Sequence, residues 1–353
     1  MPLHLALEID GDGSHPAAWR RAAHPPAALL TPQRLRSVGA IAENAGFTLV
    51  TLDDEILAPG RHPDAVGRIG AVERAAYLAA STSVLGVAPV ISTSYAEPFH
   101  TSSQLASLDH VSAGRAGWVV ADSPAPEAAR AWGRPLVSGS PARRAEARDS
   151  VRVARDLWDS WEDDAVVRDV ATSRYLDRDR LHYIDFTGDT FAVKGPAIVP
   201  RPPQGQPVVF APAGLLPADQ VDVTLVNGAD PAADTPLSFA ELEVALDLPG
   251  APAAERVAEL ERHTPWPDRG RPRYTGPPDG LVRRLTELAG TVHGVRLHPL
   301  VLDEDLGELS RRVTPALLRA GVTARPVAGT SLRATLGLPR PANRFATLPG
   351  GAR

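Results

Sequence analysis

Few residues in this 353-residue chain combine a reactive side chain with a setting that could use it. His15 stands in a His-Pro-Ala-Ala-Trp-Arg stretch just after the first apolar run. An imidazole there can exchange a proton near neutral pH, or it is simply a solvated loop histidine; both readings stand. Asp54 lies in the acidic turn after the second run, as a site carboxylate or as a helix cap. Ser92 and Thr93 end the third run and Ser123 follows the fourth, where hydroxyls can bond to a bound molecule. Asp159, Glu162, Asp163 and Asp164 read as the solvated end of an amphipathic helix. The 10 histidines are scattered with no His-x-x-x-His pair, so no metal site is expected. The chain has no cysteine, which excludes disulfides, thiolate zinc, iron–sulfur clusters and cysteine nucleophiles.

Charge narrows the partners. Lys+Arg is 37 against Asp+Glu 42, a formal net charge of −5 with no basic block. Nucleic acid and anionic membrane are therefore not expected partners. No apolar run approaches the roughly 20 residues of a membrane span. Glu8 and Asp10 fall where a signal peptide would be basic and apolar, so a cytoplasmic protein is the expectation.

Strand-like runs at 4–9, 47–52, 84–91, 116–121, 207–211, 221–226, 237–246 and 291–297 must position these residues. Helical patterns separate most of them; the one at 31–45 has Thr31 to cap it, Pro32 in its first position and Gly46 past its end. Strand–helix alternation means βαβ units and a parallel sheet, and eight strands point to an α/β fold of the (β/α)8 TIM-barrel kind. The expected organisation is one barrel domain over 1–321, with an insertion at 165–205 crossing its mouth, a hairpin near 186–193 and a linker at 264–276. A tail, 322–353, packs on the barrel. A parallel crossover needs about a dozen residues, normally helical. The stretches 212–220 and 227–236 are short and hold Pro212, Pro217, Pro231 and Pro236, so the crossover helices after the fifth and sixth strands are predicted to be missing. The apolar residues Val209, Val223 and Leu225 would then face outward without cover. Either the tail, through Leu332, Leu336, Leu338 and Phe345, or a second copy in a two-fold homodimer would supply it.

Ser92-Thr-Ser-Tyr-Ala-Glu-Pro-Phe-His100, Leu105-Ala-Ser-Leu-Asp-His110 and Ser112-Ala-Gly-Arg-Ala-Gly-Trp118 resemble the bacterial luciferase-like flavin monooxygenases. The branch is that of nitrilotriacetate monooxygenase, pristinamycin synthase and the dibenzothiophene-sulfone monooxygenases. Leu157-Trp-Asp-Ser-Trp-Glu-Asp-Asp164, Gly195-Pro196, Val199-Pro-Arg201, Pro203-Gln-Gly-Gln-Pro207, Thr330-Ser-Leu-Arg333 and Leu338-Pro-Arg-Pro-Ala-Asn-Arg344 are similar to the same branch. The resemblance implies a TIM barrel with insertions and reduced FMN from a separate flavin reductase. Oxygen adds to the flavin there, and a small organic substrate is oxidised in a dry pocket at the strand ends. It places His15 by the reacting centre, and Asp54, Ser92, Thr93, Val119 and Ser123 by the flavin.

The sequence departs from that pattern twice. In Trp118-Val-Val-Ala-Asp-Ser123 the family's flavin-facing Asn is Val119, and its Thr is Asp122. After the fifth strand, Ala211-Pro-Ala-Gly-Leu-Leu-Pro-Ala218 replaces a Ser- and Arg-bearing loop that opens a helix on the FMN phosphate, leaving only Ala213 and Gly214 in its place. Three readings follow. The first is a flavin-dependent monooxygenase holding reduced FMN weakly or transiently. The second is a flavin-free paralogue serving as partner or scaffold subunit, and the third a deazaflavin-dependent oxidoreductase.

Overall fold

The computed structural model describes residues 1–9, 11–54, 67–228 and 235–346. Eight parallel strands close into a barrel: β1 (His4–Glu8), β2 (Leu49–Leu52), β3 (Gly86–Ser92), β4 (Gly117–Ala121), β5 (Val208–Pro212), β6 (Val223–Val226), β7 (Leu237–Leu246) and β8 (Gly294–Pro299). Each pairs with the next, and β8 returns to β1 with His4 opposite Gly294. Outside lie α1 (Pro32–Ala45), α2 (Ala71–Ser81), α3 (Pro98–Val111), α4 (Pro126–Ala131), α5 (Ser140–Asp159), α6 (Ala253–Glu261) and α7 (Pro278–Leu288). A last helical run comprises α8 (Leu302–Glu308), a π turn and α9 (Thr314–Arg319). Among the described residues no helix is long and apolar enough to cross a membrane.

The two crossovers expected to be short are short. β5 to β6 holds a single 3-10 turn, Ala218–Gln220, and the described part of β6 to β7 holds no helix; 229–234 lie outside the described residues. The cover differs from expectation. Side chains alternate across a strand, so one residue of register decides a face. Val223 and Leu225 point into the barrel with Val208, Phe210 and Phe239. Val209 does point outward, where Val151, Ala154 and Trp158 of α5 cover it with Leu215 and Val221 of the connection itself.

The tail works elsewhere. Leu332 and Leu336 plug the N-terminal end of the barrel, buried in the interior cluster with Leu49 and Ala88. Gly86 leaves them room, since a Cβ there would stand 2.9 Å from Leu332 Cδ1. Phe345 does not reach the strands and stacks on His182 at 4.4 Å. The insertion is also placed differently. It forms two hairpins, 166–176 and 186–193, and the sequence pattern predicts only the second. Its Phe186 and Val193 pack on Val153 and Leu157 of α5, and it lines no part of the cavity described below. Within the 264–276 linker, Arg273–Gly276 is a further strand, parallel to the last part of β7 along the edge that β6 pairs at its start.

The barrel's foot is closed by a buried polar network. Asp109 accepts from Ala116 N–H (3.2 Å) and from Gln204 through N–H (3.1 Å) and Nε2 (2.6 Å). Burial pushes its carboxyl up to about 6 against those donors. Gln204 Oε1 accepts from Arg333 N–H at 2.8 Å. The Arg333 guanidinium donates to the Gln206 carbonyl (2.7 Å) and to Asp222 (2.8 Å), which also pairs with Arg155 of α5 at 3.0 Å. Arg201 donates to Asp159 at 2.9 Å, and Asn343 donates to the Asp159 and Trp161 carbonyls.

Removing one member of a buried, hydrogen-bonded ion pair costs about 3–5 kcal/mol. Arg333→Ala is expected to lower the urea midpoint accordingly, with no change in native far-UV circular dichroism. A midpoint equal to that of the parent would show that the tail is not held by this guanidinium.

Candidate functional site

In a (β/α)8 barrel the loops at the C-terminal strand ends build the site. That end opens here on a cavity of about 1150 Å³. Its walls are apolar, with Val90, Val119, Ala121 and Leu225 from the strands and Leu29, Leu30, Leu35 and Val38 from the β1–α1 loop and α1.

Its floor is charged. The inward positions of β1, β7 and β8 place Glu8, Glu241, Arg296 and His298 together. Arg296 is wholly engaged: Nε donates to Thr51 Oγ1 (2.8 Å), Nη1 to Glu241 (3.1 Å) and Nη2 to Glu8. Glu8 also accepts from Thr51 Oγ1 (2.7 Å) and from Asp53 N–H (3.0 Å). The His298 Nε2–H donates to Glu241. Isolated charges would be costly here, so pairing is required. Burial alone would raise the Glu241 carboxyl, but Arg296 and His298 outweigh it and hold it well below the usual range. Burial lowers the His298 imidazole to about 4, more than Glu241 restores, so the ring is neutral at pH 7.

His15 comes from the loop after β1. Its Nδ1 accepts the Ala17 N–H at 3.0 Å, which leaves the proton of the neutral ring on Nε2. Nε2 has no partner among the described residues, and burial lowers the ring's pKa. Trp266 packs against it, ring centres 5.8 Å apart. The residue is buried at the cavity wall and presents a fixed donor.

The structure brings His15 and Val119 of the sequence-derived residues to this cavity. The others lie apart from its lining. Asp54 accepts the Ala71 N–H at 2.8 Å and so caps α2. Ser92 Oγ accepts the Ser94 N–H at 3.2 Å, and Thr93 donates to the Ala121 carbonyl at 3.1 Å; both border a separate small void. The Ser123 N–H bonds to Ser94 Oγ at 3.1 Å. Ala213 and Gly214 form an exposed turn, with the Ala213 N–H spent on the Leu225 carbonyl at 3.0 Å. Asp122 faces away from the mouth and pairs with Arg143 of α5 at 2.6 Å. Sequence reasoning missed Glu8, Thr51, Glu241, Arg296 and His298. The signal was charge recurring at every second position of otherwise apolar strands, as in Arg296 and His298.

Known proteins resemble this chain along most of its length. A family model described as luciferase-like monooxygenase matches residues 13–243. A pristinamycin IIA synthase subunit of Streptomyces pristinaespiralis is 33% identical over 311 residues, 86% of this chain and 88% of that one. N-acetyl-S-(2-succino)cysteine monooxygenase of Bacillus subtilis (strain 168) is 34% identical over 209 residues, 59% of this chain but only 47% of that protein's length. Among solved structures, a riboflavin lyase with modified FMN and riboflavin superposes with a TM-score of 0.80 at 24% identity, over 96% of both chains.

His298 yields a pH test. The unfolded chain takes up a proton near 6.5 at this residue, while the folded one resists until about 4. Acidification between those values therefore favours unfolding by up to about 1.4 kcal/mol per pH unit. His298→Gln keeps a donor toward Glu241 and loses the titration. Its stability is expected to fall less steeply than the parent's from pH 6.5 to 4.5; urea midpoints running in parallel would disprove a neutral His298.

Proposed function

The chain belongs to the luciferase-like monooxygenase family, and we propose on that footing that it serves the flavin-dependent oxidation of a small organic substrate bound in the cavity at the C-terminal end of the barrel. The carrying observation is the cavity itself: preformed, apolar-walled, and floored by polar groups locked in place before any ligand arrives. Such sites fix a ligand's orientation through few polar groups while its body fills apolar space.

FMN fits this cavity at one end only. The volume and the apolar wall of Val90, Val119 and Leu225 suit a planar ring. At the other end, the loop after β5 offers the phosphate no helix N-terminus and no Ser or Arg side chain. Pro212 and Pro217 have no N–H, the Leu215 N–H is spent on the Pro212 carbonyl at 3.1 Å, and no helix starts after β5. The reading is therefore of reduced flavin delivered by a separate reductase and held briefly, and the roles below concern this chain's residues alone. His15 offers the Nε2–H to an oxygen of the bound molecule. Val119 and its apolar neighbours keep water out. Glu241, Arg296 and His298 orient a polar group of the substrate.

A second reading is favoured by the same missing donors: a flavin-free partner in a two-chain oxygenase. The pristinamycin relative, matched along nearly its whole length, is itself one subunit of a synthase.

Losing two or three charge-assisted hydrogen bonds, about 1.5–3 kcal/mol each, weakens binding roughly a thousandfold or more. The protein is expected to purify colourless and to bind oxidised FMN poorly in an absorbance titration. A yellow protein with stoichiometric FMN would overturn the phosphate argument. Flavin retained only when the chain is co-expressed with a longer paralogue would favour the two-chain reading.

A further inference from the structure

The rim of the cavity carries two arginines, one without a partner among the described residues and one with a single long ionic contact. Arg269 and Arg271 both line it, on the connection between α6 and the strand Arg273–Gly276. Arg269 makes no ion pair or hydrogen bond among the described residues. Arg271 has one ionic contact, 3.6 Å to Glu241, a carboxylate already taken by Arg296 at 3.1 Å and by His298.

The loop that carries them is fixed at both ends. On one side Trp266 packs on His15. On the other, the Arg273 guanidinium lies 4.2 Å over the Trp266 ring and pairs with Glu243 at 2.8 Å. Between them the Gly270 N–H donates to Asp268 Oδ1 at 2.8 Å.

The loop's position matters as much as its charge. Gly270 lies against the side chain of Asn227, the first residue after β6; a Cβ on Gly270 would stand 3.4 Å from Asn227 Nδ2. The loop that carries the arginines therefore meets the end of β6, the strand next to β5, whose Pro212 also lines the cavity. The described residues lining the cavity include seven arginines against five carboxylates. The chain as a whole carries −5, so the described lining is more positive than the chain's average.

We propose that Arg269 and Arg271 form an oxyanion-binding site at the cavity rim, which takes the phosphate or carboxylate of the molecule seated in the cavity. Two planar guanidiniums on a braced loop suit bidentate recognition of either group. The anion has two possible owners, the flavin or the substrate. The proposal concerns binding and holds whether or not the chain turns a substrate over.

The experiment is a tryptophan-fluorescence titration of the whole chain with FMN, riboflavin, inorganic phosphate and succinate, repeated on Arg269→Gln/Arg271→Gln. Preference for FMN over riboflavin of tenfold or more, lost in the double variant, would support the site and assign the anion to the flavin. Equal binding of FMN and riboflavin, with saturable binding of phosphate or succinate that the variant loses, would support the site and assign the anion to the substrate. No anion dependence, or a variant that binds all four probes like the parent, would overturn it. Should the double variant fail to fold, Arg269→Gln alone removes a side chain without a described partner and is expected to weaken the same binding about tenfold. A chain that binds anions but catalyses no oxidation refutes the proposed function and leaves this site standing.

Discussion

One guanidinium, that of Arg333, ties the tail to the segments that lead into β5 and β6, on either side of a crossover that has no α-helix. It donates to the carbonyl of Gln206 before β5 and to Asp222 before β6, while the backbone N–H of Arg333 donates to Gln204 Oε1. Asp222 in turn receives the Val209 N–H and Arg155 from α5. In a complete barrel, crossover helices bury the outer face of each strand and fix its neighbour's position. Here side chains assume that task at the strand starts, and the long α5 covers the outer face of β5. The foot must be rigid because the strand register above it sets which side chains look into the cavity.

This arrangement explains what could be read in the sequence. The eight strands are legible because apolar runs alternate with helical periods, and the short crossovers because proline spacing forbids a helix. The face of β6 is not: Val223 and Leu225 alternate with Asp222 and Thr224, which shows that they share a face but not that this face looks inward. The strand at 273–276 is hidden in a segment of proline, glycine and arginine, where pairing with β7, not propensity, makes the structure. The motifs that carry the family resemblance are largely those of the foot: Asp109, Asp159, Arg201, Gln204, Arg333 and Asn343 all belong to its network. They report the fold faithfully and say little of chemistry at the other end of the barrel.

At that other end the charged floor is the hardest part to foresee. Glu8, Glu241 and Arg296 lie far apart in sequence, and each alone reads as a surface residue. Only barrel closure, which pairs β1 with β8 and β8 with β7, turns them into one buried cluster. Because Arg296 has spent its donors on the protein, the floor resists rearrangement, and a ligand must adapt to it. The rim is looser: Arg271 has one ionic contact, 3.6 Å to Glu241, and Arg269 has none among the described residues.

The plug formed by Leu332 and Leu336 also bears on how the chain matures. Every barrel strand has been synthesised by residue 299, yet the interior at the strand starts stays unsealed until more than 30 further residues have been made. Contacts between Leu332 and Leu49 or Gly86 span most of the chain, and pairings of such separation form slowly. During that interval Leu49, Ala88 and Val208 have no cover from the tail. In a nascent barrel of this design, the apolar interior at the foot is closed last, by the C-terminal segment.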